Sequence, residues 1–531
     1  MRPDSHTARA YLLADKVIHA VEKRLAITMK ADCGYKKDAI SRRLAQATTM
    51  QLVDPFLRKN IEGHSSEKAG FADDLPQELH CGGMRINTET GTIIPNTKLF
   101  LSNIAKFVAL WLFVLEYFMR SLVSKNSNSG PATLIHGVPD ADLRAEGSAK
   151  RFENFCQNGP LDVLSKANKC IVQAARPVKT DNSQKFMYTR FPLLALFSTN
   201  RPSVGESLVF LKQHFSVFSG YLFLLLRHPI ACLLWRDFAT HAVAVAMNKR
   251  KLIEANIITN TNWLQQFLWM SDLSNRNFKT YMALYSLNSG ALIFKDDPVA
   301  AVHPSIRHLR VDLIWIWNAS YEQVLKQEGI SCKTQVVGPI LWYLPEEIPT
   351  RKNIGFHQLC IFDVSPMTRE TLLSHGLLGN YYNTETMKSY LDDILAAVDE
   401  MRKQLGCEVE IVLKHKRART PSHDGSYFSY VNELCKSHDH LRLAEEDANL
   451  FTLIAESDLV VVIPYSSPGY VANYLGTPAL FYDPTNEILP TNEIVSPIRF
   501  AAGRENLINE MAKIMASNGS AGKAAIYHAN N

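Results

Sequence analysis

The feature that most constrains this chain is an alternation of short apolar runs and helical segments that begins at Pro131, breaks off and then begins again. In the first series Ala132–Ile135, Cys170–Ala174, Phe186–Tyr188, Asn256–Thr259, Thr280–Tyr285 and Asp312–Trp317 read as strands. Helical patterns lie between several of them, notably Ala149–Gln157 and Phe238–Glu254, and Leu313–Trp317, Ala319–Gln327 and Thr334–Val337 make a strand–helix–strand unit. Trp342–Lys352 then brings two prolines and mixed charge, the composition of a linker. After it the strands Leu359–Asp363, Glu408–Leu413, His440–Leu443, Leu459–Pro464 and Ala479–Tyr482 alternate with helices at Thr384–Leu405, Ser426–Ser437, Ala448–Glu456 and Pro468–Leu475. Parallel strands need crossover connections, and helices supply them, so this order predicts parallel sheets covered on both faces. The chain reads as α/β, with two Rossmann-like doubly wound domains over 131–341 and 355–515 that face a central cleft.

Residues 1–130 read as an N-terminal helical extension. Ala8–Lys30 and Asp38–Lys59 carry helical spacing, Glu62–Asn96 has the turn signals of a linker or hairpin, and a helix over 107–124 ends at the Lys125–Gly130 loop. Two stretches are unusually apolar. Phe107–Met119 is bounded by Lys106 and Arg120 and contains Glu116, and Ser216–Trp235 is broken by Arg227, His228 and Pro229. A spanning helix needs roughly 20 apolar residues with few charges, and both stretches carry charged interruptions. Two readings stay open: buried helices, or interfacial contact with a membrane, which flanking Lys and Arg with Trp and Tyr would suit.

A length of 531 residues implies two or three domains, and 46% apolar with 21% charged residues excludes disorder as the main theme. The net charge of +5 is small, and the basic residues form one short cluster without interleaved aromatics, which argues against a nucleic-acid partner. Nine scattered cysteines without a CxxC pair fit buried thiols in a reducing compartment better than disulfides or zinc. The first sixteen residues lack the apolar core of a secretory signal, so a cytoplasmic location is expected.

In open parallel sheets ligands lie outside the carboxyl ends of the strands. Three polar loops of the second domain occupy that position: Asp363-Val-Ser365-Pro with Arg369 behind it, Lys414-His415-Lys416-Arg417 with Arg419, and Tyr465-Ser466-Ser467-Pro468. The last stands where a helix begins, so hydroxyls, free backbone N–H groups and the helix dipole converge as a phosphate site requires. The same residues also suit an ordinary helix cap, and the basic run also suits a solvated loop.

The stretch Ala448–Pro484, with its Ser466-Ser467 pair and its Leu475-Gly476-Thr477-Pro478 ending, resembles the donor-site segment of two-domain GT-B glycosyltransferases. It is similar more narrowly to bacterial transferases of surface polysaccharides, including those that use CMP-activated acidic sugars such as Kdo or sialic acid. Ser466-Ser467 matches their Ser pair, and Lys414-His415 matches their Lys/His-Pro element except that Lys416 replaces the proline. Thr280–Ser289 and Leu313–Gly338 also resemble segments of capsule and O-antigen enzymes. The resemblance implies a nucleotide-sugar donor held by Asp363, Ser365, Arg369, Lys414, His415, Lys416, Arg417, Tyr465, Ser466 and Ser467. It implies a lipid-linked or polysaccharide acceptor, work at the inner face of the cytoplasmic membrane, and neither cofactor nor metal.

Glycosyl transfer needs a stabilised leaving phosphate and a base, or a carboxylate nucleophile, near the acceptor hydroxyl. Asp140, Glu153 and Asp272 in the first domain are the candidates, with Tyr285, Ser286 and Asn288 as contacts for acceptor hydroxyls. Asp140-Ala-Asp142 is a weak candidate for a divalent metal, against a plain polar turn. Two other functions fit the same architecture: a transferase of polyol phosphate from a CDP carrier or a sugar epimerase, and a non-catalytic membrane-associated scaffold.

Overall fold

A computed structural model describes residues 3–28, 35–63, 77–123, 130–139, 143, 148–178, 185–259, 266–285, 292–295, 308–327, 329–342, 358–375, 381–405, 408–416, 419–446, 448–490 and 498–514. Helices α1 (Pro3–Thr28) and α2 (Lys37–Gly63) pack together at the N-terminal end. An antiparallel meander of β1 (Glu78–Cys81), β2 (Met84–Asn87) and β3 (Ile93–Pro95) follows, then α3 (Thr97–Val123). The β1–β2 turn is Gly82-Gly83, both with positive φ, as a two-residue hairpin demands. A Cβ on Gly82 would fall 1.7 Å from the Gln51 carbonyl oxygen, so the meander sits against α2 only with glycine there.

The first α/β unit runs in the order β4 (Ala132–His136), α4 (Ser148–Asn158), α5 (Asp162–Ser165), β5 (Cys170–Gln173), β6 (Phe186–Thr189), α6 (Pro192–Ser198) and α7 (Val204–Arg227). A 3₁₀ turn at Pro229–Leu234, α8 (Trp235–Lys249), β7 (Ile253–Thr259), α9 (Leu268–Ser271), β8 (Lys279–Ala283), β9 (Leu313–Ile316), α10 (Ser320–Gln327) and β10 (Thr334–Val336) complete it. Its seven strands are all parallel, in the spatial order β10-β9-β8-β7-β4-β5-β6, so the winding reverses between β4 and β7.

The second unit runs β11 (Gln358–Phe362), α11 (Arg369–His375), α12 (Thr384–Leu405), β12 (Glu410–Lys414), α13 (Gly425–Ser437) and β13 (Leu441–Leu443). It continues with α14 (Leu450–Ala455), β14 (Leu459–Val462), α15 (Ser467–Tyr474), β15 (Ala479–Asp483) and β16 (Arg499–Ala502). Six parallel strands lie in the order β13-β12-β11-β14-β15-β16, with the reversal between β11 and β14. Every residue of β14 is fully buried, which is why Leu-Val-Val-Val reads as an unbroken apolar run rather than an alternating one. The chain is therefore two doubly wound α/β units in series after a helical extension, as expected from the sequence. They touch through a short antiparallel pairing, in which Lys295 N–H donates to the Glu487 carbonyl at 2.9 Å and Leu489 N–H to that of Ile293 at 2.7 Å.

The two apolar stretches form helices that are buried along one face only. Helices α3 and α7 run antiparallel and meet along an aromatic seam: Phe107 on Tyr221 (4.4 Å), Trp111 stacked on His214 (4.6 Å) and Phe118 on Phe210 (4.8 Å). Their outward faces remain exposed, with Leu101, Leu112, Met119 and Val123 on α3 and Leu208, Phe215, Phe223 and Leu226 on α7. Both helices, and the Pro229–Lys249 stretch, are long and apolar enough to cross a membrane, but the last is largely buried in the core. Ser216–Trp235 is not one element, because α7 stops at His228, before a proline that has no N–H to continue it. Phe238–Glu254 also differs from its periodicity. The helix ends at Lys249, Lys251 adopts φ +54°, and Ile253 and Glu254 already belong to β7. Among the described residues seven cysteines are free thiols, five of them buried.

Candidate functional site

The register of the second sheet lines up its loops. Phe362 pairs with Lys414 on one side and Val462 on the other, so Asp363, His415 and Ile463 leave the sheet at one level, on both flanks of β11. Beneath them Tyr390 of α12 donates its buried hydroxyl to the Val461 carbonyl at 2.8 Å and packs under the point where the winding reverses. Ligands of doubly wound sheets bind outside such a reversal.

Asp363 is buried and fully engaged. One carboxylate oxygen accepts the Lys416 backbone N–H at 2.9 Å, and the other meets His415 Nδ1 at 2.5 Å and accepts the Tyr427 hydroxyl at 2.9 Å. Burial, then the Asp363 charge, pushes the Tyr427 phenol well above its ordinary range, so it stays a donor. A carboxylate on Nδ1 fixes that nitrogen as the N–H bearer and leaves Nε2 as the working atom. The ring also packs on Phe428 at 4.9 Å. Ser365, two residues past Asp363, is buried and its hydroxyl has no hydrogen-bond partner among the described residues.

Across the reversal, Tyr465 takes φ +60°, a left-handed conformation that costs a bulky residue on the order of 1–3 kcal/mol. Burial of its ring near Phe481 (5.7 Å) and Phe500 (6.5 Å) offsets that cost. The sharp turn lets α15 start at once. Ser466 is its N-cap residue, yet it makes no side-chain capping bond. Gly469 in the first turn has Val462 and the Phe481 ring 3.0 Å from where a Cβ would lie, so α15 lies tight on the sheet with its N-terminus at the strand ends. A hydroxyl left out of the cap, beside backbone N–H groups at a helix start, is a ready contact for an anion.

The structure brings Asp363, Ser365, His415, Tyr465, Ser466 and Ser467 to these strand ends. Arg369, first residue of α11, is exposed, as is Lys416, whose backbone N–H donates to Asp363. Lys414 is committed elsewhere: its ammonium binds the Glu445 carbonyl at 2.9 Å and that of Glu446 beyond β13, away from β14. Arg417 lies outside the described residues, while Arg419 lies over the Phe428 ring at 5.5 Å.

Of the three candidate carboxylates of the first unit, the two described ones, Glu153 and Asp272, make separate contacts. Asp140 lies outside the described residues, as do Asp142, Ser286 and Asn288. Glu153 on α4 accepts the Tyr188 hydroxyl at 3.0 Å, next to edge strand β6. Asp272 is paired with Arg42 of α2 and accepts the Ser271 hydroxyl at 2.6 Å, so it ties the helical extension to α9. Tyr285 packs near Trp342, ring centroids 6.4 Å apart.

Residues that were not anticipated occupy the carboxyl ends of β4, β5 and β6. His136 ends β4 beside the β4–β7 reversal and is buried, with the Gln173 and Asn256 side chains as its polar neighbours. Burial, reinforced by the Arg236 charge, lowers its pKa to about 4. Next to it opens a cavity of about 790 Å³, lined by Gly137, Val138, Gln173 and Arg190 from the strand ends, Trp235 and Arg236 from α8, and Lys106 and Phe113 from α3. The signal that found the loops of the second unit, polar residues directly after a strand, was also present at Arg190.

A tandem of doubly wound units, each with polar residues at its reversal, defines a two-domain α/β protein of Rossmann-like units. The family described as polysaccharide biosynthesis PFTS motif protein matches residues 215–511, more than half of the chain, and the chain belongs to it. No curated protein matches the sequence significantly. Among solved structures the chain is similar to a variant of the wall teichoic acid polymerase TagF, at 10% identity and TM-score 0.39, covering 79% of this chain and 90% of that one. It is also similar to the spinosyn rhamnosyltransferase SpnG (12% identity, TM-score 0.33, 72% and 91% covered). A third is a UDP-forming trehalose-phosphate synthase from Burkholderia xenovorans (9%, TM-score 0.33, 74% and 94%). The architecture stands on the two sheets themselves.

Proposed function

We propose that this protein is a glycosyltransferase of polysaccharide biosynthesis that holds a nucleotide-activated sugar at the β11–β14 reversal of its second unit and transfers the sugar to a membrane-linked surface glycan. The observation that carries the reading is the left-handed Tyr465, which starts α15 at the strand ends with the Ser466 hydroxyl outside the cap. In that arrangement Ser466, Ser467 and the first N–H groups of α15 bind the donor's phosphate, and His415 Nε2, oriented by Asp363, supports the leaving phosphate. The family's description names a PFTS motif. Pro464-Tyr465-Ser466-Ser467 is similar to such a sequence, with Tyr for Phe and Ser for Thr, and this likeness supports a role for the loop.

A CMP-linked acidic sugar such as Kdo is the donor suggested by the Ser pair, and Asp140 is the remaining candidate for the acceptor-side base. The exposed apolar faces of α3 and α7 support work at the inner surface of a membrane. A thermal-shift screen of CMP, CDP, UDP, GDP and their sugars tests the reading, because a ligand of the native state raises the melting temperature. A shift with one nucleotide family supports it and names the donor class. No shift with any of them refutes donor binding by this chain.

A further inference from the structure

The cavity of the first unit is built from unlike walls. The strand ends contribute Arg190 with Gly137 and Gln173, α8 contributes Arg236 and Trp235, and α3 contributes Lys106, Leu110 and Phe113. Among the described residues no carboxylate lies within ion-pair distance of Lys106, Arg190 or Arg236: Lys106 reaches only the Asn103 amide at 3.5 Å, and the two guanidinium groups lie over the Phe191 (5.5 Å) and Phe267 (4.8 Å) rings. The nearby Asp237 is engaged by Arg43 and by the Leu268 N–H. Burial lowers the pKa of Arg236 against the opposing charge of Asp237, and the Arg190 and Arg43 charges add to the lowering, which places like charges close together in a partly dry site. Such a cluster is stabilised by an anion, and planar guanidinium groups suit the oxygens of a phosphate.

The apolar half of the wall belongs to α3, which also carries the exposed stripe Leu101, Val108, Leu112, Met119 and Val123. A helix with its side chains is about 10–12 Å across, so a molecule in the cavity lies within that distance of the stripe. Beside α3, α7 exposes Leu208, Phe215, Phe223 and Leu226. Lys98, Arg120 and Lys212 on these helices are exposed as well, the composition of a surface that lies on anionic lipid.

We infer that this cavity receives the phosphate headgroup of a membrane lipid, held by Lys106, Arg190 and Arg236, while the stripes of α3 and α7 rest in the lipid surface. The cavity volume, about 790 Å³, suits a phosphate with the first groups attached to it. The role of this site as the acceptor's seat rests on the transferase reading, whereas lipid binding itself is measured without a donor.

The test is flotation of the full chain with vesicles of phosphatidylcholine alone and of phosphatidylcholine with phosphatidic acid. Wild type should bind the second about tenfold more strongly or better, given the gain expected per basic side chain. Lys106→Ala with Arg190→Ala should abolish that increment and leave binding to plain phosphatidylcholine, whereas Leu112→Glu with Phe223→Glu should abolish both. Ala109→Trp fills the cavity from an exposed α3 position without touching a charge, and should also abolish the increment, so the question is answered even where the double charge variant fails to fold. An undiminished increment in Ala109→Trp and the charge variant overturns the inference. Calorimetric binding of inorganic phosphate alone as tight as binding to the phosphatidic acid vesicles would also overturn it, by assigning the cavity to a free anion. Because no nucleotide is present, these outcomes are independent of the thermal-shift screen that tests the donor site.

Discussion

Asp363, at the end of β11, holds His415, just past β12, by a contact of 2.5 Å to Nδ1, and the same carboxylate fixes the Lys416 backbone and the Tyr427 hydroxyl. One buried side chain thus ties two strand-end loops and α13 together, and it aims an imidazole nitrogen at the proposed donor phosphate. His415→Ala should keep the fold, with a loss of about 1 kcal/mol in urea unfolding, and weaken nucleotide binding at least about tenfold. Asp363→Ala strands three donors and should cost about 3 kcal/mol or more as well as binding. Equal stability of wild type and Asp363→Ala would remove this residue from the centre of the site.

Tyr465→Gly separates strain from packing. Glycine relieves the left-handed backbone by about 1 kcal/mol, but loss of the buried ring costs about 3–5 kcal/mol, so a net destabilisation of about 2–4 kcal/mol is expected. A neutral result in urea unfolding would show that the ring contributes little against Phe481 and Phe500.

In the first unit Arg43 of α2 reaches Asp237 of α8 at 3.3 Å, with both side chains buried, and Asp237 also accepts the Leu268 N–H at 2.7 Å. Asp237→Ala leaves a buried guanidinium and an amide without that partner, and should destabilise the chain by about 3–5 kcal/mol. The double variant Arg43→Met/Asp237→Asn, which buries no charge and keeps an acceptor for the Leu268 N–H, should lose less than Asp237→Ala; an equal loss would show that the unpaired charge does not set the penalty.

Three buried histidines make the first unit acid-sensitive. His136, His214 and His241 are all lowered to about 4, chiefly by burial. Unfolded, each takes up a proton near pH 6.5, so their contribution is whole above that value and is lost as pH falls from 6.5 towards 4. For His136 the loss amounts to roughly 3 kcal/mol. Stability measured from pH 7 to 4 should fall, and His136→Gln should flatten part of the slope; an unchanged slope in that variant would contradict the assignment.

Much of this architecture was legible because doubly wound sheets write their core into the sequence. Thr384–Leu405 shows its periodicity end to end, and Leu459–Val462 is an apolar run with a turn on each side. What could not be read was long-range pairing. Lys414 looks like a phosphate ligand until β13 is placed beside it, and its ammonium proves to be bound by the Glu445 and Glu446 carbonyls. Asp272 looks like an acid after a short helix until α2 delivers Arg42, 230 residues earlier in the chain. His136 and Arg190 carry no local signal beyond their strand ends, and only the sheet order shows that β4 and β6 share one rim with β5.

The account turns on the Ser466–Ser467 loop, so the decisive measurement is nucleotide binding by isothermal titration calorimetry to wild type and to Ser466→Ala/Ser467→Ala. Ser466 makes no side-chain capping bond, so its replacement leaves the helix cap as it is, and the melting temperature measured alongside separates folding from affinity in the double variant. The account predicts affinity at least about tenfold weaker, from the loss of hydroxyl contacts to a charged phosphate. Unchanged affinity in a folded variant would contradict it and remove this loop from the donor site.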